Sequence, residues 1–123
     1  MLPIFGVIAD DLTGGLETAA MLVALGIPCD FVTDPALVGQ KGNFPATVVA
    51  QKTRVIPAKE AVARSEQAAH ALLSIGTRQL FFKYCATFDS TDQGNIGPVT
   101  DALMEMTGAE QTAFCPASPA LLR

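Results

Sequence analysis

The segment Asp10-Asp11-Leu12-Thr13-Gly14-Gly15 gathers two carboxylates, a hydroxyl and two backbones without Cβ atoms into six residues. Adjacent carboxylates on a turn point in different directions, so one can cap a following helix while the other faces a cleft. Such a pair can hold Mg²⁺, accept hydrogen bonds from a substrate hydroxyl or take a proton from it, and it can also do no more than cap and solvate. Residue type alone leaves these roles open. Thr13, Gly14 and Gly15 add a hydroxyl and room for close approach at a helix start, where unpaired N–H groups favour an anion. No GxxxxGK[ST] and no GxGxxG occurs in the chain, so nucleotide binding must come from elsewhere.

A second polar segment runs Thr87-Phe88-Asp89-Ser90-Thr91, then Gly94-Asn95-Ile96-Gly97, and Pro98 opens a helix behind it. Its hydroxyls and amides suit a small polyhydroxylated anion, or an Asx/ST turn that satisfies only itself. Lys83 ends an apolar run and needs a counter-charge where it is buried, from Asp10, Asp11 or Asp89. Arg54 is the candidate clamp for a carboxylate, because its fork can donate two parallel hydrogen bonds to one such group. The single histidine, His70, has no ligand-like partner at a metal spacing and reads as a surface residue; no metal site is expected. Met104 and Met106 read as packing, and Cys29, Cys85 and Cys115 as small apolar fillers.

These residues need elements to hold them. Phe5-Gly6-Val7-Ile8-Ala9 is a short apolar run and reads as a buried first strand. Residues 16–25, small and apolar, form a helix that stops at Gly26 and Pro28. Residues 30–33 give a weak second strand, 34–45 a loop, and 47–51 a third strand. Pro57 starts a long amphipathic helix that Gly76 closes. Residues 79–83 make the fourth strand, Pro98 to Gly108 a helix, and 111–115 the fifth strand. Strands alternating with helices predict an α/β fold, a mostly parallel, helix-covered, three-layer sheet of about five strands. All the polar segments fall at carboxyl ends of strands, where open α/β sheets bind ligands.

The whole chain has 123 residues, 50% hydrophobic and 16% charged, which fits one ordinary domain with a sizeable core and excludes a disordered tail. Eight basic against twelve acidic side chains give a formal charge of −4, so no cationic field is available and a nucleic-acid partner is not expected. Three cysteines without CxxC spacing suggest neither a disulfide framework nor a zinc site and fit a reducing cytoplasm. The first residues carry no basic leader, and their apolar run breaks at Asp10, so neither a signal nor a membrane anchor is expected. The end, Pro116-Ala117-Ser118-Pro119-Ala120-Leu121-Leu122-Arg123, reads as that of a C-terminally truncated chain.

The segments Ile8-Ala9-Asp10-Asp11-Leu12-Thr13-Gly14, Lys83 to Thr91, Gly94-Asn95-Ile96-Gly97-Pro98-Val99 and Cys115-Pro116-Ala117 together resemble the N-terminal domain of four-carbon acid sugar kinases, and most the 3-oxo-tetronate branch. The resemblance runs through nearly the whole chain. It implies that residues 1–123 are a sugar-acid-binding domain, that a separate C-terminal domain, absent here, binds ATP, with Mg²⁺ as the expected companion, and that the reaction phosphorylates the terminal hydroxyl of a four-carbon keto acid. Carried over to this chain, Asp10, Asp11 and Thr13 hold the hydroxyl end of the substrate, one aspartate serving as base. Gly14 and Asn95 belong to the binding segments, Arg54 pairs with the substrate carboxylate, and Lys83, Asp89, Ser90 and Thr91 close the pocket. The resemblance leaves room for a homo-oligomer. The chain departs from the family pattern at Gly15, Leu16 and Glu17, at Ala86 and at Ser118-Pro119-Ala120.

Two other acidic-pair folds fail on residue type. A receiver domain needs an aspartate after the third strand, where Lys52-Thr53-Arg54 stands, and a haloacid-dehalogenase-type phosphatase needs Asp-x-Asp, where Leu12 stands two beyond Asp10. The remaining competitor is a non-catalytic binding module or diverged copy of the kinase family. An isolated acceptor domain is expected not to turn over, because phosphoryl transfer needs the donor-binding half as well.

Overall fold

A computed structural model describes residues 3–84 and 95–109. Its elements are β1 (Phe5–Ala9), α1 (Leu12–Ala24), β2 (Cys29–Val32), a short 3-10 turn (Pro35–Leu37), β3 (Ala46–Ala50), α2 (Ala58–Ser74), β4 (Gln79–Lys83) and α3 (Ile96–Thr107). The four described strands form one sheet in the order β2-β3-β1-β4. Every pairing is parallel, with Ala9 opposite Ala50 on one side and Lys83 on the other. The fold is α/β as expected, and the fifth strand expected at 111–115 lies outside the described residues.

The two faces of the sheet are covered by different helices, which makes three layers. Val7 and Val48 point to α1, whose Ala19 and Leu22 meet them. Ile8, Val32 and Val49 point the other way, to Ala61, Ala68, Ala69 and Leu72 of α2 and Val99 and Leu103 of α3. Alternate residues of a strand face opposite sides, so continuous apolar strands such as Ala46–Ala50, buried throughout, are what a sheet covered on both faces requires.

This wiring fixes where a site can form. β1 and β3 are neighbours, yet β1 runs into α1 on one face and β3 into α2 on the other. The connections diverge at the carboxyl ends of these two strands, the usual ligand position of an open parallel sheet.

Two helix starts differ from the sequence expectation. α1 begins at Leu12, four residues before the expected 16, because the Asp11 side chain accepts a hydrogen bond from the Gly14 amide and so caps a turn containing two glycines. α3 begins at Ile96, not Pro98: a proline in the first helical turn lacks only an N–H that has no helical acceptor anyway. His70 is exposed, as expected, and no helix of the described residues is long and apolar enough to cross a membrane.

Gly15 shows why α1 lies so close to the sheet. A Cβ at this position would stand 2.7 Å from the Ala50 Cβ and 3.2 Å from the Ala9 Cβ, atoms fixed to strand backbone that cannot swing aside. Gly97, in α3, has nothing within 4 Å of such an atom among the described residues. Gly15→Ala is therefore expected to lower the unfolding free energy by about 1–3 kcal/mol through overpacking. Gly97→Ala should leave it unchanged or raise it by about 0.5–1 kcal/mol, as for any helical glycine with free space. Urea unfolding of the two variants checks this, and equal effects would contradict the close packing.

Candidate functional site

Asp10 is the first residue beyond β1, and its backbone is held from both sides. Its amide donates to the Lys83 carbonyl at 3.1 Å, and its carbonyl accepts from the amides of Thr53 at 3.0 Å and Arg54 at 3.3 Å. The sheet hydrogen bonding thus extends one residue past the strand and delivers the carboxylate to the point where the two connections diverge, with only 5% of the residue exposed.

A buried carboxylate must be paired or neutralised. Arg54, on the segment that follows β3, meets this need: it donates from Nη2 to Asp10 Oδ1 at 3.1 Å and from Nε to Oδ2 at 3.4 Å. The same Nη2 lies 3.4 Å from Asp11 Oδ2. Asp11 divides its work, because Oδ1 accepts the Gly14 amide at 2.8 Å while Oδ2 faces the guanidinium. The two adjacent carboxylates do diverge, but both reach Arg54.

Burial pushes the Asp10 carboxyl above the ordinary aspartate value of 3.8. The hydrogen bond and charge of Arg54 work against that rise, Asp11 adds to it, and the charge of Lys83 again opposes it. The outcome is a fixed carboxylate more basic than a solvated one.

Lys83 stands opposite Ala9 at the end of β4 and is half-buried. Its Nζ donates to the Tyr84 carbonyl at 2.9 Å, while its stem runs past Gly14, where a Cβ would lie 3.6 Å from the lysine Cγ. A Cβ on Gly14 would also fall 2.6 Å from Asp11 Oδ1, so the cap and the glycine require one another. Thr13 is exposed on the first turn of α1, beside this group.

Asn95 lies just ahead of α3. Buried to 8% exposure, it turns its amide away from the helix it precedes and donates to the carbonyls of Thr53, Arg54 and Ile56 at 2.7, 3.2 and 2.8 Å. The structure therefore brings Asp10, Asp11, Gly14, Arg54 and Lys83 to one rim with Thr13 beside them, and sets Asn95 beneath the Arg54 segment. Asp89, Ser90 and Thr91 lie outside the described residues. No role is read from the sequence for Gln51, or for Thr53 beyond its place in the polar segment after the third strand. Gln51 donates from Nε2 to the Arg64 carbonyl at 3.1 Å and ties the end of β3 to α2, and Thr53 supplies backbone to both Asp10 and Asn95. A polar pair buried directly after an apolar strand was the available signal.

Among the described residues, no group of three His, Cys, Asp or Glu side chains could hold a metal ion. Asp10 and Asp11 both lie against the Arg54 guanidinium, and two carboxylates already paired with a cation make a poor donor set for Mg²⁺.

The site is thus a buried, arginine-paired aspartate at the divergence of two parallel strands, with a capped glycine turn beside it. The chain belongs to the family of sugar-binding N-terminal domains, whose model matches residues 5–123. It is 49% identical over 117 residues to a 3-oxo-tetronate kinase of Burkholderia multivorans, a match covering 95% of this chain and 27% of that protein. A solved structure from Salmonella typhimurium LT2 superposes with a TM-score of 0.92 at 44% identity, over 98% of this chain and 29% of the other. A Bordetella bronchiseptica protein solved with bound citrate as a domain-swapped dimer gives a TM-score of 0.70 at 25% identity, over 84% of this chain and 26% of its own. The chain spans only 27% of the length of that curated relative.

Two outcomes follow from the pairing. Arg54→Ala strands a buried carboxylate and should cost about 2 kcal/mol, the usual penalty for breaking a buried pair reduced because Arg54 is partly exposed. Adding Asp10→Asn to that variant should recover most of the loss, and simple additivity in a double-mutant cycle would contradict the pairing. Because the folded-state pKa of Asp10 lies above its unfolded value, the folded chain binds this proton more tightly, and ionisation costs stability. Wild-type stability minus that of Asp10→Asn should therefore fall as the pH rises from 3.8 through the raised pKa and level off beyond it, measured by urea unfolding across pH. A difference that grows with pH would contradict the burial of this group.

Proposed function

We propose that this chain is the acceptor-binding part of an ATP-dependent kinase that phosphorylates the terminal hydroxyl of a four-carbon sugar acid of the 3-oxo-tetronate type. The observation that carries the reading is the Asp10–Arg54–Asp11 group at the carboxyl ends of β1 and β3. Relatives named 3-oxo-tetronate kinase support the substrate class, and the citrate in the Bordetella neighbour, a hydroxylated carboxylic acid, is chemically akin to it.

In this reading Asp10 accepts the proton of the substrate's terminal hydroxyl as that oxygen attacks the terminal phosphorus of ATP, whose bond to the bridging oxygen breaks and releases ADP. A buried carboxylate of raised basicity suits this role better than a solvated one. Asp11 and Thr13 hold the hydroxyl end, and Gly14 lets it approach the start of α1. The exposed part of Arg54 receives the acid's carboxylate, Lys83, Asp89, Ser90 and Thr91 close the pocket, and Asn95 supports the Arg54 segment from below. ATP is the phosphoryl donor and is held by the C-terminal domain of the longer protein, as is any Mg²⁺ that accompanies it. The isolated chain binds the acceptor and does not turn over. The protein works in the cytoplasm, without membrane or nucleic acid, and the neighbour's domain-swapped dimer supports self-association.

Millimolar 3-oxo-tetronate should raise the melting temperature of the chain by several degrees, since ligand at about 100 times its Kd adds about 2.7 kcal/mol to the folded state. The chain mixed with ATP and the acid should release no ADP, whereas the full-length protein should. No shift at millimolar acid would overturn the acceptor site. Binding without turnover by the full-length protein would favour the competing reading, a non-catalytic module or diverged copy of the family.

A further inference from the structure

We infer that Asn95 is a positioning residue that holds the segment between β3 and α2 so that the Arg54 guanidinium meets Asp10 and Asp11. Its effect on catalysis rests on the acceptor-site reading above, but the positioning itself does not.

The segment that carries Arg54 is anchored in the core at its ends, by the buried Thr53 and by Ile56, but not at its middle. Val55 is 92% exposed, and Arg54 itself is only half-buried. It is tied at two levels. At one, the amides of Thr53 and Arg54 donate to the Asp10 carbonyl. At the other, the Asn95 amide collects the carbonyls of Thr53, Arg54 and Ile56. N–H groups of this short segment thus point to β1 while its carbonyls point to Asn95, which leaves its backbone little freedom to rotate.

The orientation of the amide is forced. Three carbonyl oxygens surround one end of the side chain, and only the NH₂ end can meet them; the reversed amide would place oxygen against oxygen. An asparagine just ahead of a helix ordinarily turns its oxygen to the first-turn amides. Asn95 makes no such cap, and its own carbonyl accepts the Val99 amide at 3.0 Å. Its side chain is therefore committed to a segment 39 to 42 residues earlier in the chain. The start of α3 and the Arg54 segment form one unit.

The consequence reads out at Asp10, which faces Arg54, Asp11 and Lys83. If Asn95 sets the place of the guanidinium, removing its amide withdraws the group that opposes the effect of burial. Titration of the Asp10 carboxyl by ¹³C NMR, on the chain without ligand, tests this. Asn95→Ala should move the midpoint upward by about half a unit or more, in the direction that losing a neighbouring cation dictates. Arg54→Ala should do the same, and the double variant should move no further than Arg54→Ala alone. Val99→Ala, which weakens α3 in its buried core, should lower stability and leave the midpoint in place. An Asn95→Ala variant that is less stable but titrates Asp10 as wild type, or shifts that add in the double variant, would overturn the inference. Should Asn95→Ala not fold, amide exchange of the wild-type chain decides: Thr53 and Arg54 are expected to exchange together with Val99, and earlier exchange of the two loop amides would overturn it. All these readouts are independent of any substrate, so their failure is distinct from failure of the acceptor-site reading.

Discussion

One constraint orders this molecule: the Asp10 carboxylate is buried at the end of a central strand and must be neutralised there. Arg54 supplies the positive charge, and the rest of the site can be read as what is needed to keep the two together. β1 and β3 must be neighbours so that the residues following them meet. Their connecting helices lie on opposite faces, so neither α1 nor α2 crosses the meeting point. Gly15 allows α1 to pack close to Ala50 and Ala9, which brings the Asp11 cap and its second oxygen within reach of the same guanidinium.

Such a site is organised before any ligand arrives. An arginine fixed between two carboxylates has already lost most of its side-chain freedom, so ordering it costs a bound acid less than ordering a solvated arginine would. Lys83 brings a second positive charge to the same rim, which balances two carboxylates with two cations among these residues and leaves a short anion without net repulsion. For a proposed kinase acceptor site this division is sensible. The half that holds the hydroxyl needs orientation and a base, whereas the charge of the phosphoryl group is met by the half that carries it.

Much of the fold was legible in the sequence because its signals are local. The apolar runs at β1 and β4 have the limits read from residue type alone, and β2 and β3 lie within a residue of theirs. The helix starts were less legible, since Gly14 and Gly15 speak for a turn where the Asp11 cap starts α1, and Pro98 marks the first turn of α3 but not its first residue. Of the site, the convergence of Asp10, Asp11, Arg54 and Lys83 follows from their positions after strands. Who pairs with whom does not. Arg54 meets two carboxylates of its own chain, and Asn95 holds the carbonyls of Thr53, Arg54 and Ile56. Both pairings span about 40 residues, and no local pattern encodes them.

The most direct measurement is a crystal structure of the chain with 3-oxo-tetronate bound. The account predicts the terminal hydroxyl within about 3 Å of the Asp10 or Asp11 carboxylate, hydrogen-bonding distance, and the acid's carboxylate on the side of Arg54. Density for the acid on another face of the sheet, with the Asp10–Arg54 rim untouched, would contradict it.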